Sequence, residues 1–148
     1  MLQESAQDRI NEAVISAHLA RYFELGPTEK LGMNYGVDFA VVGGRERDGS
    51  PLVALFTEAK QRDWKFGKGD GLRLSLWKVM MATLITATTG MDCLLAIEFD
   101  DGTIRWTNFR WRDKRVIMAG RQDRKGMPND REPHCIFPWG VWTMVAKA

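Results

Sequence analysis

Two apolar runs joined by a tight turn constrain this chain more than any other sequence feature. The runs YGVDFAVVGG (35–44) and PLVALFTEAK (51–60) have the length and composition of β-strands. The Asp-Gly dipeptide at residues 48–49 between them is typical of hairpin turns. Because side chains alternate along a strand, Glu58 and Lys60 are expected on the same face. The two runs therefore predict a β-hairpin whose second strand ends with an acid and an amine side by side.

A second carboxylate belongs to the same hairpin. Asp38 lies in the first run, so it can occupy the strand next to Glu58. Two carboxylates and Lys60 meeting at one end of a sheet can form a site for a divalent metal with a cationic helper. The simpler alternative is an exposed ion pair of Glu58 and Lys60 at the strand end, with Asp38 in a turn.

The rest of the chain alternates helical and extended patterns. Four further elements are predicted, namely helices over residues 4–25 and 74–88 and strands over residues 91–100 and 103–111. Ser5 and Asp8 form a capping-box pair at the start of the first helix, and Gly26-Pro27 is expected to end it. The second helix is expected to cross over between parallel strands, which indicates an α/β or α+β domain. Residues 28–34, 61–73 and 112–134 are expected to be irregular.

Length and composition indicate one soluble globular domain, residues 1–148. The chain is 45% hydrophobic and 27% charged, with a net charge of only +2. No apolar run reaches the roughly 18 residues that a membrane span needs, so no membrane association is expected. The polar N-terminus contains no secretion signal, and two cysteines do not make a disulfide framework, so the expected location is the cytoplasm.

Asp38, Glu58 and Lys60 on neighbouring strands, within a helix–strand–strand–helix–strand order, resemble the PD-(D/E)xK nuclease superfamily. The chain also resembles the small resolvase-like and phage-type members, and the sequence does not favour one of these branches. The similarity extends over residues 5–111, with Val37 where the superfamily name has proline. The resemblance implies an α/β fold with a restriction-endonuclease-like core in α-β-β-α-β-β order. Its central mixed sheet of about four to five strands would be flanked by helices.

The resemblance also implies an activity and roles for individual residues. The protein would be a Mg²⁺- or Mn²⁺-dependent endonuclease that hydrolyses DNA and leaves a 5′-phosphate. Asp38, Glu58 and the carbonyl group of Ala59 would bind the metal, and Lys60 would orient or deprotonate the attacking water. Glu12 matches a glutamate in the first helix of resolvase-like members. It is either a fourth catalytic residue or a solvated helix carboxylate.

The segment after Lys60 is the second indication of a nucleic-acid partner. Residues 61–73 combine cations, aromatic side chains and three glycines, a composition that suits a phosphate backbone and an unstacked base. The predicted DNA contacts are Arg62, Trp64, Lys65, Lys68 and Arg73. A mobile, solvated loop is the alternative. Residues 105–131 hold nine Lys and Arg against three Asp and are either a second strip of a DNA groove or a solvated excursion.

Two alternatives to an enzyme remain open at this point. The same fold can serve as a DNA- or protein-binding module that does not cleave, or Glu-Ala-Lys at 58–60 can be accidental in an interaction protein. For an enzyme, so small a domain favours structure-selective or nonspecific cutting. The resemblance further implies a homodimer, with the apolar helix 74–88 or the Trp-rich C-terminal tail as the interface.

Overall fold

The computed structural model of the chain describes residues 5–110, 115–120 and 131–147. Two helices, nine strands and two short 3₁₀ turns lie within these ranges. The helices are α1 (Ala6–Tyr22) and α2 (Leu76–Thr89), and the 3₁₀ turns are Met33–Tyr35 and Trp139–Val141. The strands are β1 (Thr28–Lys30), β2 (Phe39–Arg45), β3 (Pro51–Gln61), β4 (Leu72–Ser75), β5 (Cys93–Glu98), β6 (Thr103–Asn108), β7 (Arg115–Ala119), β8 (Glu132–Phe137) and β9 (Thr143–Lys147).

The larger sheet is mixed and contains six strands in the order β1-β2-β3-β5-β6-β9. β2 and β3 form the predicted antiparallel hairpin, with Phe39 opposite Thr57. β5 lies parallel to β3, with Leu95 beside Glu58, and α2 lies in the crossover between these two strands. The hairpin, the parallel crossover and the α/β core of restriction-endonuclease type are therefore confirmed. The sheet is wider than predicted, because β1 and β9 extend it at its two edges.

A second, antiparallel sheet of three strands, in the order β4-β8-β7, corrects the expectation of irregular structure in residues 61–73 and 112–134. β4 pairs with β8 from Leu72 opposite Phe137 to Ser75 opposite His134. Gly71 allows this close pairing, since a Cβ atom there would lie 2.5 Å from the carbonyl oxygen of Phe137. Each strand is only four to six residues long and pairs with a distant segment, so local pattern alone did not reveal it.

Both faces of the six-stranded sheet carry an apolar core. On one face, Ile15 and Leu19 of α1 pack against β2, β3, β5 and β6. On the other face, Leu95 and Phe99 pack in a cluster that also contains residues of α2 and the three-stranded sheet. The large sheet is therefore a central layer, and successive side chains of β3 point into different cores.

The N-terminal end of α1 agrees with the prediction from the sequence, and its C-terminal end does not. The predicted capping box is present at α1, where Ser5 Oγ accepts a hydrogen bond from Asp8 N–H at 3.0 Å. α1 ends at Tyr22, before the predicted Gly26-Pro27 stop, and Glu24 then takes a left-handed conformation with φ of 56°. In the described part of the chain, neither helix has the length and hydropathy needed to cross a membrane.

Candidate active site

The hairpin places Asp38 and Glu58 side by side. Asp38 directly precedes β2, and extending the pairing of Phe39 with Thr57 by one residue puts Asp38 opposite Glu58. The N–H group of Asp38 donates to the carbonyl oxygen of Thr57 at 3.1 Å. In return, Asp38 Oδ2 accepts a hydrogen bond from the N–H group of Ala59 at 2.9 Å. These two bonds fix the Asp38 carboxylate at the carboxyl end of β3.

Glu58 is a buried acid, and only one of its two carboxylate oxygens contacts lysine ammonium groups. The residue is 1% exposed, and its Oε1 lies 3.1 Å from Lys78 Nζ and 3.5 Å from Lys60 Nζ. Its Oε2 is also buried and accepts no hydrogen bond from the residues that the structure describes. Burial, and then the charge of Asp38, raise the pKa of Glu58, while the two lysines partly oppose the shift. A buried carboxylate oxygen without a donor is destabilising unless a cation or water meets it.

Lys78 of α2 also lies at this site. Its ammonium group contacts Glu58 and also donates to the carbonyl oxygen of Gly36 at 3.3 Å. Lys78 lies in the first turn of α2, where the helix dipole disfavours a cation, and the Glu58 carboxylate offsets that effect. It is also the single charged residue in the sequence of α2, a signal that could have identified it.

Glu12 reaches the site through a lysine that sequence reasoning missed. Lys30 Nζ lies 3.4 Å from Asp38 Oδ1 and 3.8 Å from Glu12 Oε2, so one ammonium group joins the two carboxylates. Lys30 was overlooked because it lies in β1, a three-residue edge strand within the segment 28–34 that was expected to be irregular. The predicted residues Asp38, Glu58, Lys60 and Glu12 are thus all at one end of the hairpin, together with Lys30 and Lys78.

The donor set suits a hard cation but is small. Among the residues described, no group of three or more His, Cys, Asp and Glu side chains could hold a metal ion together. The candidate ligands that remain are carboxylate oxygens of Asp38 and Glu58, and the resemblance adds the carbonyl group of Ala59. Mg²⁺ is bound in proteins by one or two carboxylates and keeps several waters, so this set fits such an ion. Because the buried Oε2 of Glu58 accepts no hydrogen bond from the described residues, it is the oxygen of this set that a bound cation would stabilise most.

The loop after Lys60 is anchored to the protein. Trp139 Nε1 donates to the carbonyl oxygens of Lys68 and Gly69, both at 3.2 Å. Trp64 packs edge-on against Phe99 and Trp139, with ring centroids 5.5 and 5.8 Å apart. Trp64 is therefore part of an aromatic cluster and is also partly exposed.

The cations of the loop differ in their environment. Lys65, Lys68 and Arg73 are exposed, as a phosphate-binding role requires. Arg62 is partly buried, and burial lowers the pKa of its guanidinium group. Of the basic segment 105–131, the described Arg115 pairs with Asp70 of the loop, whereas residues 111–114 and 121–130 lie outside the described part.

Comparisons with known proteins agree with this geometry. No curated protein matches the chain. A family model described as phage putative PDDEXK endonuclease matches residues 2–145, almost the entire sequence. The matched region contains the hairpin with Asp38, Glu58 and Lys60 and the crossover helix that carries Lys78. The chain therefore belongs to the family of phage putative PDDEXK endonucleases.

Proposed function

We propose that this protein is a Mg²⁺-dependent endonuclease, with Mn²⁺ as a substitute ion, that hydrolyses phosphodiester bonds in DNA. The observation that supports this proposal most is the environment of the Glu58 carboxylate. One of its buried oxygens faces two lysine ammonium groups, and the other accepts no hydrogen bond from the described residues. An acid held in this way beside Asp38 is suited to bind a divalent cation.

The metal ligands would come from the ends of two neighbouring strands. Asp38 comes before β2, whereas Glu58 and Ala59 lie near the end of β3, and the hydrogen bond from Ala59 N–H to Asp38 Oδ2 keeps these ends together. A bound divalent ion would neutralise phosphate charge and make a coordinated water more acidic. The rigid hairpin supplies the other requirement, a fixed position for the phosphodiester.

Lys60 and Lys78 take different roles beside Glu58. Lys60 follows Glu58 by two residues on the same face of β3, and its partly exposed ammonium group is able to meet the attacking water and a phosphate oxygen. Lys78 is held by both Glu58 and the carbonyl oxygen of Gly36, so its role is to orient Glu58. Lys60 is accordingly the catalytic lysine of this proposal and Lys78 its positioning partner.

DNA is the substrate that the surrounding surface favours. The exposed cations Lys65, Lys68 and Arg73 follow Lys60 closely in the chain and suit phosphate groups. The open cavity of about 500 Å³ in the same segment is lined by Gln61, Arg62, Asp63 and Asp100, and its two carboxylates do not add to this preference. Phosphate contacts carry no sequence information, so we propose structure-selective or nonspecific cutting.

We also propose that the protein is a homodimer through α2. Trp77, Met80 and Leu84 lie at helical spacing on α2 and are all more than half exposed. The alternative interface, the C-terminal tail, is less suitable because Trp142 is buried in the core. Analytical ultracentrifugation of Met80→Glu should shift the protein towards monomer. Met144→Glu, which adds the same charge on another exposed methionine, should not.

Nicking of supercoiled plasmid tests the enzymatic proposal. Wild-type protein should nick the plasmid with Mg²⁺ or Mn²⁺ and lose this activity with EDTA, whereas Asp38→Ala and Lys60→Ala should stay inactive. Arg47→Gln, in the turn at the opposite end of the hairpin, is the matched control and should cut at the wild-type rate. DNA binding without cutting would instead indicate a binding module, and neither binding nor cutting would indicate an interaction protein. A parallel assay on RNA and on branched DNA distinguishes the substrate forms.

A further inference from the structure

We infer that Lys30 is a positioning residue that acts as an exchangeable counter-ion of the metal site. Its ammonium group links Glu12 to Asp38 in the structure and would compete with a divalent cation for the Asp38 carboxylate. This inference rests on the proposed function, because it requires the site to bind a metal. It adds a role for β1, an element in which the sequence indicated no functional residue.

The structure places Lys30 beside Asp38 through paired backbones. β1 pairs with β2 so that Lys30 lies opposite Phe39, the residue after Asp38. The N–H group of Leu31 donates to the carbonyl oxygen of Asp38 at 2.8 Å, which continues the pairing past the strand end. The ammonium group then lies 5.0 Å from the centre of the Phe39 ring, in addition to its contacts with the two carboxylates. The contact with Asp38 is thus built into the sheet.

The two oxygens of Asp38 are engaged differently. Oδ2 accepts the backbone hydrogen bond from Ala59, which is part of the hairpin and will persist. Oδ1 faces Lys30 Nζ at 3.4 Å and is the oxygen left for a metal. A divalent cation binds a carboxylate oxygen at about 2.1 Å, so at Oδ1 it would come within a few ångströms of the ammonium group. Like charges at that separation repel, and this repulsion favours withdrawal of the ammonium group that is held least firmly.

Lys30 is the lysine best able to withdraw. Its side chain is 42% exposed and starts from an edge strand, whereas those of Lys60 and Lys78 are 24% and 28% exposed. The charges at the site also give a reason for Lys30 to leave when a divalent cation binds. It contains three carboxylates and three ammonium groups, so their charges balance before any metal binds. Release of Lys30 by the incoming cation restores part of that balance.

Calorimetric titration of Mn²⁺ into the full-length protein, without DNA, tests the inference. Lys30→Met removes the ammonium group but keeps the length of the side chain, and we expect it to bind Mn²⁺ roughly fivefold more tightly than wild type. Lys30→Arg keeps the charge and should remain within about twofold of wild type. Arg47→Met removes one positive charge in the distant turn and should leave the affinity unchanged. Lys30→Gln replaces Lys30→Met if that variant does not fold.

The outcomes separate this inference from the proposed function. Tighter Mn²⁺ binding by Lys30→Met, with Lys30→Arg unchanged, supports the counter-ion role. A larger rise in melting temperature for Lys30→Met than for wild type on adding Mn²⁺ would support it independently. If wild type binds Mn²⁺ and Lys30→Met binds it equally or more weakly, the inference is wrong and the nuclease proposal stands. If none of the proteins binds Mn²⁺, both fail.

Discussion

The two faces of β3 differ in what they bury. Towards α1, the strand presents Thr57 and Ala59 to an apolar layer, and the hydroxyl group of Thr57 is paired with Ser16 at 3.1 Å. Towards α2, the same strand presents Glu58 and Lys60, and Glu58 is buried with an oxygen that accepts no hydrogen bond from the described residues. Of these two buried polar side chains of β3, Thr57 is therefore hydrogen-bonded within the fold, and Glu58 is so at one oxygen only.

This difference shows how one strand can serve stability and chemistry together. Apolar burial against α1 stabilises the sheet, while the charge of Glu58 on the opposite face opposes folding, as its raised pKa indicates. A buried acid with a perturbed pKa and charged neighbours is typical of a functional site. Substitutions on the α1 face should therefore change stability, and substitutions on the α2 face should change activity.

The largest expected effect is on the α2 face. Asp38→Asn keeps an oxygen that can accept the Ala59 hydrogen bond but removes the charge that a metal needs. We expect the rate of plasmid nicking to fall on the order of 100- to 1,000-fold. The melting temperature, measured in EDTA, should not fall. A variant that cuts at nearly the wild-type rate would show that Asp38 is not a metal ligand.

On the α1 face, Leu19→Ala should give the opposite result. Leu19 is fully buried, so its truncation leaves a cavity and should lower the free energy of unfolding by about 2–5 kcal/mol. Urea titration measures this loss, and nicking at a temperature where the variant is folded should stay close to wild type. Ile10→Ala is the control on the same helix, because Ile10 is exposed. A strong loss of nicking by folded Leu19→Ala would contradict the separation of the two faces.

Substitution of a buried residue usually lowers the stability of a protein, but Glu58→Gln should raise it at pH 8. Because the pKa of Glu58 is raised in the fold, its contribution to stability is full below its ordinary pKa of about 4.5 and is lost as the pH rises through the folded value. Glutamine does not ionise, so in EDTA the variant should be more stable than wild type at pH 8. The difference should shrink as the pH falls towards 4.5.

Melting temperatures across this pH range test that prediction, and nicking by the same variant should be abolished. Lower stability of Glu58→Gln at pH 8 would mean that the two lysines stabilise the Glu58 charge more than burial opposes it.

The smallest effect is expected at the polar pair of the α1 face. Ser16→Ala removes one partner of the buried hydrogen bond with Thr57 and should lower the free energy of unfolding by about 1 kcal/mol. The double variant with Thr57→Val should recover part of this loss, because no buried hydroxyl group is then left unpaired. Chemical denaturation of the single and double variants measures both values, and simple additivity would argue against the hydrogen bond.

The sequence predicted the parts of the fold that depend on neighbours in the chain. The β2–β3 hairpin, the placement of Glu58 and Lys60 on one face and the capping box of α1 follow from alternation and turn chemistry. Pairings between distant segments did not show in the local pattern. Leu72 finds its partner at Phe137, and neither strand is long enough to show a clear alternation.

The residues of the candidate site were likewise predicted only where they lie close together in the chain. Asp38, Glu58 and Lys60 belong to one hairpin, so a motif on the sequence could find them. Lys30 and Lys78 join them only through the packing of β1 and α2, and the one sign of either in the sequence is that Lys78 is the single charged residue of α2. Trp64 stays a predicted DNA contact, and its packing against Phe99 could not be seen in the local sequence.

Whether Asp38 and Glu58 bind one metal ion is tested most directly by a crystal of the protein soaked in Mn²⁺, with data collected for the anomalous signal. We expect a peak about 2.1 Å from an Asp38 oxygen and from Glu58 Oε2, with Lys60 and Lys78 still at Oε1. No peak between these carboxylates at saturating Mn²⁺, or a peak only at another position such as His134 and Glu132, would contradict it.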